Sequence, residues 1–191
     1  YEKAAMVVRE MTDLLALDLV DKGLVTDQIV LTIGYDIENL SDPVRRKQYR
    51  GEITTDRYGR QVPKHAHGTG NLKTPTSSSG ELTEAVMTLY RRLVDPALLI
   101  RRVTVTVNHL AREETVKRKQ IYEQLDLFTD YEAKRREEER REEERAKEKK
   151  LQQAMLDIKK KYGKNAILKG SNLQEGATAR SRNSQIGGHR A

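Results

Sequence analysis

The chain has no cysteine and no tryptophan, and only one phenylalanine and four prolines in 191 residues. Without a thiol there is no disulfide, no thiolate nucleophile and no cysteine-ligated zinc, and a reducing cytoplasm is the expected setting. No stretch approaches the run of about 18 apolar residues that a membrane-spanning helix needs, and no apolar signal segment opens the chain. The sequence begins at Tyr1 directly in an amphipathic pattern and lacks an initiator methionine, which suggests a fragment of a longer polypeptide. Hydrophobic residues make up 36% of it, too few to fill a core throughout. One domain of about 100 to 150 residues plus an appendage is the expectation.

Recognised catalytic patterns are also lacking. There is no phosphate-binding loop, no G-x-S-x-G and no dinucleotide fingerprint. Ser77, Ser78 and Ser79 have no histidine or acid placed to activate them and look like a helix entry. His65-x-His67, with His109 and His189, suggests a metal, but no acidic partner has suitable spacing. The expectation is a chain with no chemistry, no cofactor and no metal of its own.

Charge is abundant and unevenly placed. Of the formal +7, residues 1–131 contribute nothing, with 19 basic and 19 acidic side chains, whereas residues 151–191 hold 8 and 2. The basic tail either contacts nucleic acid or keeps a mobile end solvated. Residues 41–75 form a local basic patch, with eight cations (Arg45, Arg46, Lys47, Arg50, Arg57, Arg60, Lys64, Lys73) against three acids.

Apolar spacing from Ala4 to Val20 predicts a helix ended at Gly23. Alternation predicts strands over Gln28 to Asp36, about His65 to Leu72, and Leu99 to Asn108, the last with Val103, Val105 and Val107 on one face. A long basic excursion, too polar for core, joins the first two. Ser78 to Glu81 reads as a capping box opening a second helix that runs to about Val94. The order helix, strand, strand, helix, strand is a β-α-β-β-α-β unit without its first strand. It is an α+β fold with an antiparallel sheet carrying both helices on one face and leaving the other free.

Acid-first pairs four apart (Glu132/Arg136, Glu137/Arg141, Glu143/Lys147) predict a solvated helix. Taken from Tyr131 to Tyr162 it would reach about 48 Å at 1.5 Å per residue. Leu151, Met155, Ile158 and Tyr162 give it an apolar stripe for docking on a partner. The organisation expected is a folded domain over 1–111, a linker over 112–130, the charged helix over 131–162 and a basic, mobile tail over 163–191.

Two candidate binding elements stand out. Arg101-Arg102 opens a strand whose alternate residues Thr104, Thr106 and Asn108 suit phosphate oxygens, and His65, His67 and Thr69 share a face beside Lys64. Any wet sheet face carries such residues, so the pattern alone leaves duplex gripping and simple solvation open. The other is Gln124-Leu125-Asp126-Leu127-Phe128, which contains the only phenylalanine and resembles the pentapeptide by which bacterial polymerases and repair proteins dock on the sliding clamp. An extended peptide would insert Leu127 and Phe128 in an apolar pocket while the Gln124 amide fixes its orientation. A hydrophobic staple folding the linker onto the domain is the alternative.

Leu17 to Asp36, Thr55 to Thr69 and Ile100 to Leu110 resemble the little finger domain of Y-family translesion DNA polymerases, of the UmuC/ImpB/MucB-like group found in Gram-positive bacteria. Asp157 to Ala191 is similar to a C-terminal tail typical of that group. The resemblance implies a domain that lays its sheet on template-primer DNA during lesion bypass in an SOS-type damage response. It implies that Arg101 and Arg102 meet template phosphates and that His67, Gly68 and Thr69 stand where the family has an R-G-R segment, with only the glycine kept. It further implies sliding-clamp binding, and a YolD-like, UmuD-analogous accessory protein as a possible partner of the tail. The two magnesium ions of nucleotidyl transfer would belong to a palm domain with no counterpart in these residues. By fold analogy the absent first strand is expected inside the sheet. The rival reading is a free-standing interaction protein whose charged helix joins a small α+β domain to a partner.

Overall fold

A computed structural model describes residues 1–116, 131–186 and 189–190. Helix α1 (Glu2–Asp21) ends at Lys22, after which Gly23 takes φ +63° and turns the chain into β1 (Leu24–Tyr35). That left-handed conformation costs glycine little, which is why the stop falls there. Ala5, Val8, Thr12, Ala16 and Leu19 of α1 are buried at spacings of three and four, so one stripe of the helix faces the sheet.

Strand β1 is the centre of the sheet. It pairs antiparallel with β4 (Ala66–Thr76) on one side and with β5 (Ile100–Asn108) on the other, and its first residues pair with β6 (Ala111–Arg112). The sheet is therefore continuous among the described residues, and its edges are β4 and β5. This corrects the expectation of a strand missing from the interior, because β1 already satisfies the backbone of both neighbours. The register places Ile29, Leu31 and Ile33 opposite Val107, Val105 and Val103. All six point to the side covered by α1 and by α4 (Ser79–Leu93), where Leu82, Val86, Leu89 and Tyr90 are buried. Facing them on β4 are Ala66, Gly68, Gly70 and Leu72. A Cβ on Gly68 would stand 2.4 Å from Leu93 Cδ1, and one on Gly70 would stand 3.3 Å from Leu89 Cδ1. Both glycines thus let α4 settle directly on the strand.

The excursion between β1 and β4 is folded. It contains α2 (Glu38–Ser41), α3 (Pro43–Gln48) and the hairpin of β2 (Ile53–Thr55) with β3 (Gln61–Pro63). Asp42 caps α3 by accepting from the Val44 and Arg45 N–H groups at 2.7 and 3.0 Å. Asn39, fully buried, donates to the carbonyls of Asp36 and Leu99 and accepts from the Leu99 N–H, which staples the insert to the start of β5. At the hairpin tip Asp56 receives the Arg60 guanidinium and the Tyr58 and Arg60 N–H groups. The Arg60 bond, outweighing desolvation, lowers its carboxyl to about 2.

Helix α5 (Tyr131–Tyr162) is the expected charged helix, and its second half docks on the helix layer. Half of the expected capping box forms, with Ser78 Oγ accepting from Glu81 N–H at 3.1 Å. The Glu81 carboxylate turns instead to Arg145 of α5 at 2.7 Å. The Ser78 N–H is taken by Thr76 Oγ1 at 3.0 Å, and Glu148 of α5 adds a further cap, accepting from Gly80 N–H at 2.9 Å and Ser78 Oγ at 2.5 Å. A carboxylate at the first turn of α4 complements the exposed N–H groups and the helix dipole. Gln152 and Leu156 are the buried residues of α5, and Gln152 donates to the Ser77 carbonyl. Of the stripe expected to meet a partner, Met155 and Ile158 are half-buried while Leu151 and Tyr162 are exposed. The docked face is rotated from that stripe because polar contacts set the angle of approach.

Residues 163–186 were expected to stay mobile unless a partner ordered them, but α1 itself supplies the partner. A 3-10 turn (Gly170–Leu173) and α6 (Ala179–Asn183) lie along a second stripe of α1, and β7 (Gln185–Ile186) pairs with β8 (His189–Arg190). Glu10, 3% exposed, accepts from Asn172, from the Thr178 N–H and hydroxyl, and from Arg182. Burial by itself would raise this carboxyl, yet the bonds from Thr178, Asn172 and Ala179 hold it below the usual carboxylate range. Lys159 bridges to the carbonyls of Lys164 and Ile167, and Lys169 reaches Asp13 at 2.6 Å. The seam leaves a void of only about 40 Å³.

Candidate nucleic-acid interface

Because side chains alternate along a strand, the residues that do not enter the core share the opposite face. The register brings Gln28, Val30, Thr32 and Gly34 of β1 between His67, Thr69 and Asn71 of β4 and Arg102, Thr104, Thr106 and Asn108 of β5. His67, Thr69, Arg102 and Thr106 are exposed and Thr104 is half-buried. Thr32 pairs with His67 on one side and Thr104 on the other, and its Oγ1 lies 2.9 Å from His67 Nδ1. At the far end Asn108 donates to Gln28, which donates to Asn71, a ladder of side-chain amides at 2.9 and 3.0 Å. Val30, 9% exposed, is the apolar exception and lies between Thr69 and Thr106.

A register shift sets the two arginines. Gly34 pairs with Arg102 and Tyr35 with Ile100, so Arg101 is the extra residue of a bulge. The shift returns Ile100 to the core while both arginines stay exposed, and neither forms an ion pair with a described residue. Guanidiniums without an ion pair among the described residues, beside hydroxyls and amides, make a surface suited to phosphate oxygens.

Of the other expected contacts, His65 precedes β4 and lies edge-on to His67 at 6.3 Å between ring centroids. Lys64 is engaged by Glu52 at 2.7 Å. Gly68 is on the core side beneath Leu93, so it shapes the strand and offers no side chain to the wet face. Gln28, Thr32 and Asn71 complete the face without having been singled out in the sequence. The signal was their position as the polar alternates of β1 and β4, which becomes a site once the pairing partner is known. Gln124 to Phe128 lie outside the described residues.

The hydrogen bonds and ion pairs that α5 and residues 163–186 make with the domain go to α1, the α4 entry, Thr74 and Glu113. Among the described residues they leave the wet face of the sheet uncovered. No helix of the described chain is long and apolar enough to cross a membrane.

A four-stranded antiparallel sheet, with α1 and α4 behind it and a hydroxyl-and-guanidinium face left open among the described residues, defines an α+β domain. Residues 1–127 match the impB/mucB/samB family C-terminal domain. The chain belongs to this family, and its domain is the C-terminal little finger of DNA-damage polymerases of the Y family, which by itself lacks the catalytic palm. No curated protein and no solved structure gives a significant match.

Proposed function

We propose that this chain is the DNA-gripping and clamp-tethering part of a translesion polymerase of an SOS-type damage response, acting in the cytoplasm and performing no nucleotidyl transfer itself. The observation that carries the reading is the open face in which Arg101, Arg102, Thr104, Thr106, His67 and Thr69 stand together, the arginines without an ion pair among the described residues. Laid on template-primer DNA, that face meets phosphates on both sides of a groove and holds the duplex without sequence preference, as a polymerase translocating over damaged template requires. The domain extends over 1–111. Residues 112–130 then carry Gln124 to Phe128 to the sliding clamp as an extended peptide. The metal ions of the reaction belong to the palm of the parent enzyme. Leu151, Tyr162 and Leu173, each at least 60% exposed, offer contact to a small accessory protein.

The test is fluorescence anisotropy of the chain on a labelled primer–template duplex across a salt series. Affinity that falls steeply with salt supports the grip; no affinity, or affinity indifferent to salt, rejects it and favours a protein-interaction module.

A further inference from the structure

The insert between β1 and β4 forms a second concave surface beside the wet face. A cleft of about 480 Å³ opens between it and the end of the sheet, with Tyr35, Arg45, Tyr49, Arg50, Lys64 and His65 in its lining. Its wall is fixed in place. The Tyr49 hydroxyl donates to the Glu52 carbonyl at 2.7 Å. The ring lies so close over Gly51 that a Cβ there would stand 2.4 Å from the phenol oxygen and 2.6 Å from Cζ. Lys64 N–H donates to the same Glu52 carbonyl at 2.8 Å. A ring held this way loses little freedom when something stacks on it.

The charge around the cleft is available. The insert's own ion pairs are Arg60 with Asp56 and Lys64 with Glu52. Arg45, Arg46, Lys47 and Arg50 have no ion pair with a described residue. The remaining acid at the cleft, Asp95, accepts from Ala97 N–H at 2.9 Å. The cleft is also continuous with the proposed grip, since His65 in its lining lies against His67 of the wet face. Its size falls in the range of about 300 to 1,000 Å³ typical of sites for single small molecules. A duplex cannot enter such a space, whereas one unpaired nucleotide can.

We infer that this cleft receives an unpaired nucleotide of the single strand running off the duplex, its base against Tyr49 and its phosphates against Arg45 and Arg50. Aromatic stacking beside unpaired cations is the general means of holding single strands without reading sequence. The inference rests on the wet face gripping the duplex and adds to it a separate site for single-stranded template.

The test compares three fluorescent probes on the full chain: a blunt duplex, the same duplex with a 5′ single-stranded overhang, and the overhang strand alone. The overhang duplex is expected to bind about tenfold tighter than the blunt one. Its salt slope is expected to be steeper by about 0.7 for each added phosphate contact. Arg45→Ala/Arg50→Ala abolishes the increment and leaves blunt-duplex affinity unchanged. Tyr49→Leu does the same, while Tyr49→Phe retains it because the ring remains. The arginine variant changes exposed and half-buried surface only, so it decides the matter if Tyr49→Leu fails to fold. An absent increment, an increment that survives Arg45→Ala/Arg50→Ala, or an equal loss from blunt and overhang probes overturns the inference. If Arg101→Ala/Arg102→Ala weakens blunt-duplex binding and no increment exists, the cleft fails and the grip stands. If no probe binds, both fail.

Discussion

Glu10 and Arg182, 172 residues apart in the chain, meet at 3.1 Å with the carboxylate almost wholly buried. Four donors converge on one acid in the middle of a helix, and the C-terminal tail is organised around it.

That arrangement makes tail docking acid-sensitive. The folded-state pKa of Glu10 lies below its ordinary value of 4.5. The stabilisation is therefore fully present above that ordinary value and is lost as pH falls through the folded one. Hydrogen exchange of residues 164–186 is expected to stay slow from neutral pH down to about pH 5 and to accelerate below pH 4.5. Glu10→Ala, which leaves Arg182 without its anion, is expected to cost about 3 kcal/mol in thermal unfolding and to expose the tail to protease at neutral pH.

Duplex binding is expected to depend on the bulge at the start of β5. Arg101→Ala/Arg102→Ala removes two phosphate contacts, so the slope of log affinity against log salt should fall by about 1.8. Affinity at moderate salt should fall at least about tenfold. Thermal stability should be unchanged within about 0.5 kcal/mol, because neither side chain contributes to the core. An unaltered slope would place the DNA elsewhere.

Clamp attachment is expected to reside in the linker alone. Leu127→Ala/Phe128→Ala should abolish pull-down of the purified sliding clamp and leave duplex anisotropy untouched, since the proposed clamp peptide and the proposed grip use different residues. Retained capture would assign these residues to folding the linker back on the domain.

Glu148 is expected to act on α4 from a distance of 68 residues, through the Gly80 N–H. Glu148→Ala should destabilise by about 1 kcal/mol. In a double-mutant cycle with Ser78→Ala the two losses should be less than additive, because the groups share one hydrogen bond. Full additivity would mean that α5 docks without engaging the cap.

Much of the fold was readable from local pattern. Ile29, Leu31, Ile33 and Val103, Val105, Val107 alternate so regularly that both strands, and the faces they bury, follow from period two. The Gly23 stop and the Ser78 cap follow from backbone chemistry. What local pattern did not carry was pairing. The continuity of β4, β1 and β5 is a long-range fact, and so is the gathering of Thr32, His67 and Thr104 into one row. The tail was illegible for a sharper reason. Its anchor, Glu10, reads as an ordinary exposed helix acid, and the residues that satisfy it carry no apolar signature. Helix α1 buries two stripes, one against the sheet and one against the tail, which blurs its amphipathic signal. The elements inside the basic excursion were not legible because Asn39, a polar side chain, does the stapling that an apolar one usually does.

The strict alternation of the strands also frees the outward row from the scaffold behind it. At Thr69 an exchange toward arginine alters only what water touches, so under the proposed grip the tightness of the hold on DNA would be dialled one codon at a time. A lineage can loosen or strengthen its tool in this way without ever re-solving the problem of how to fold it.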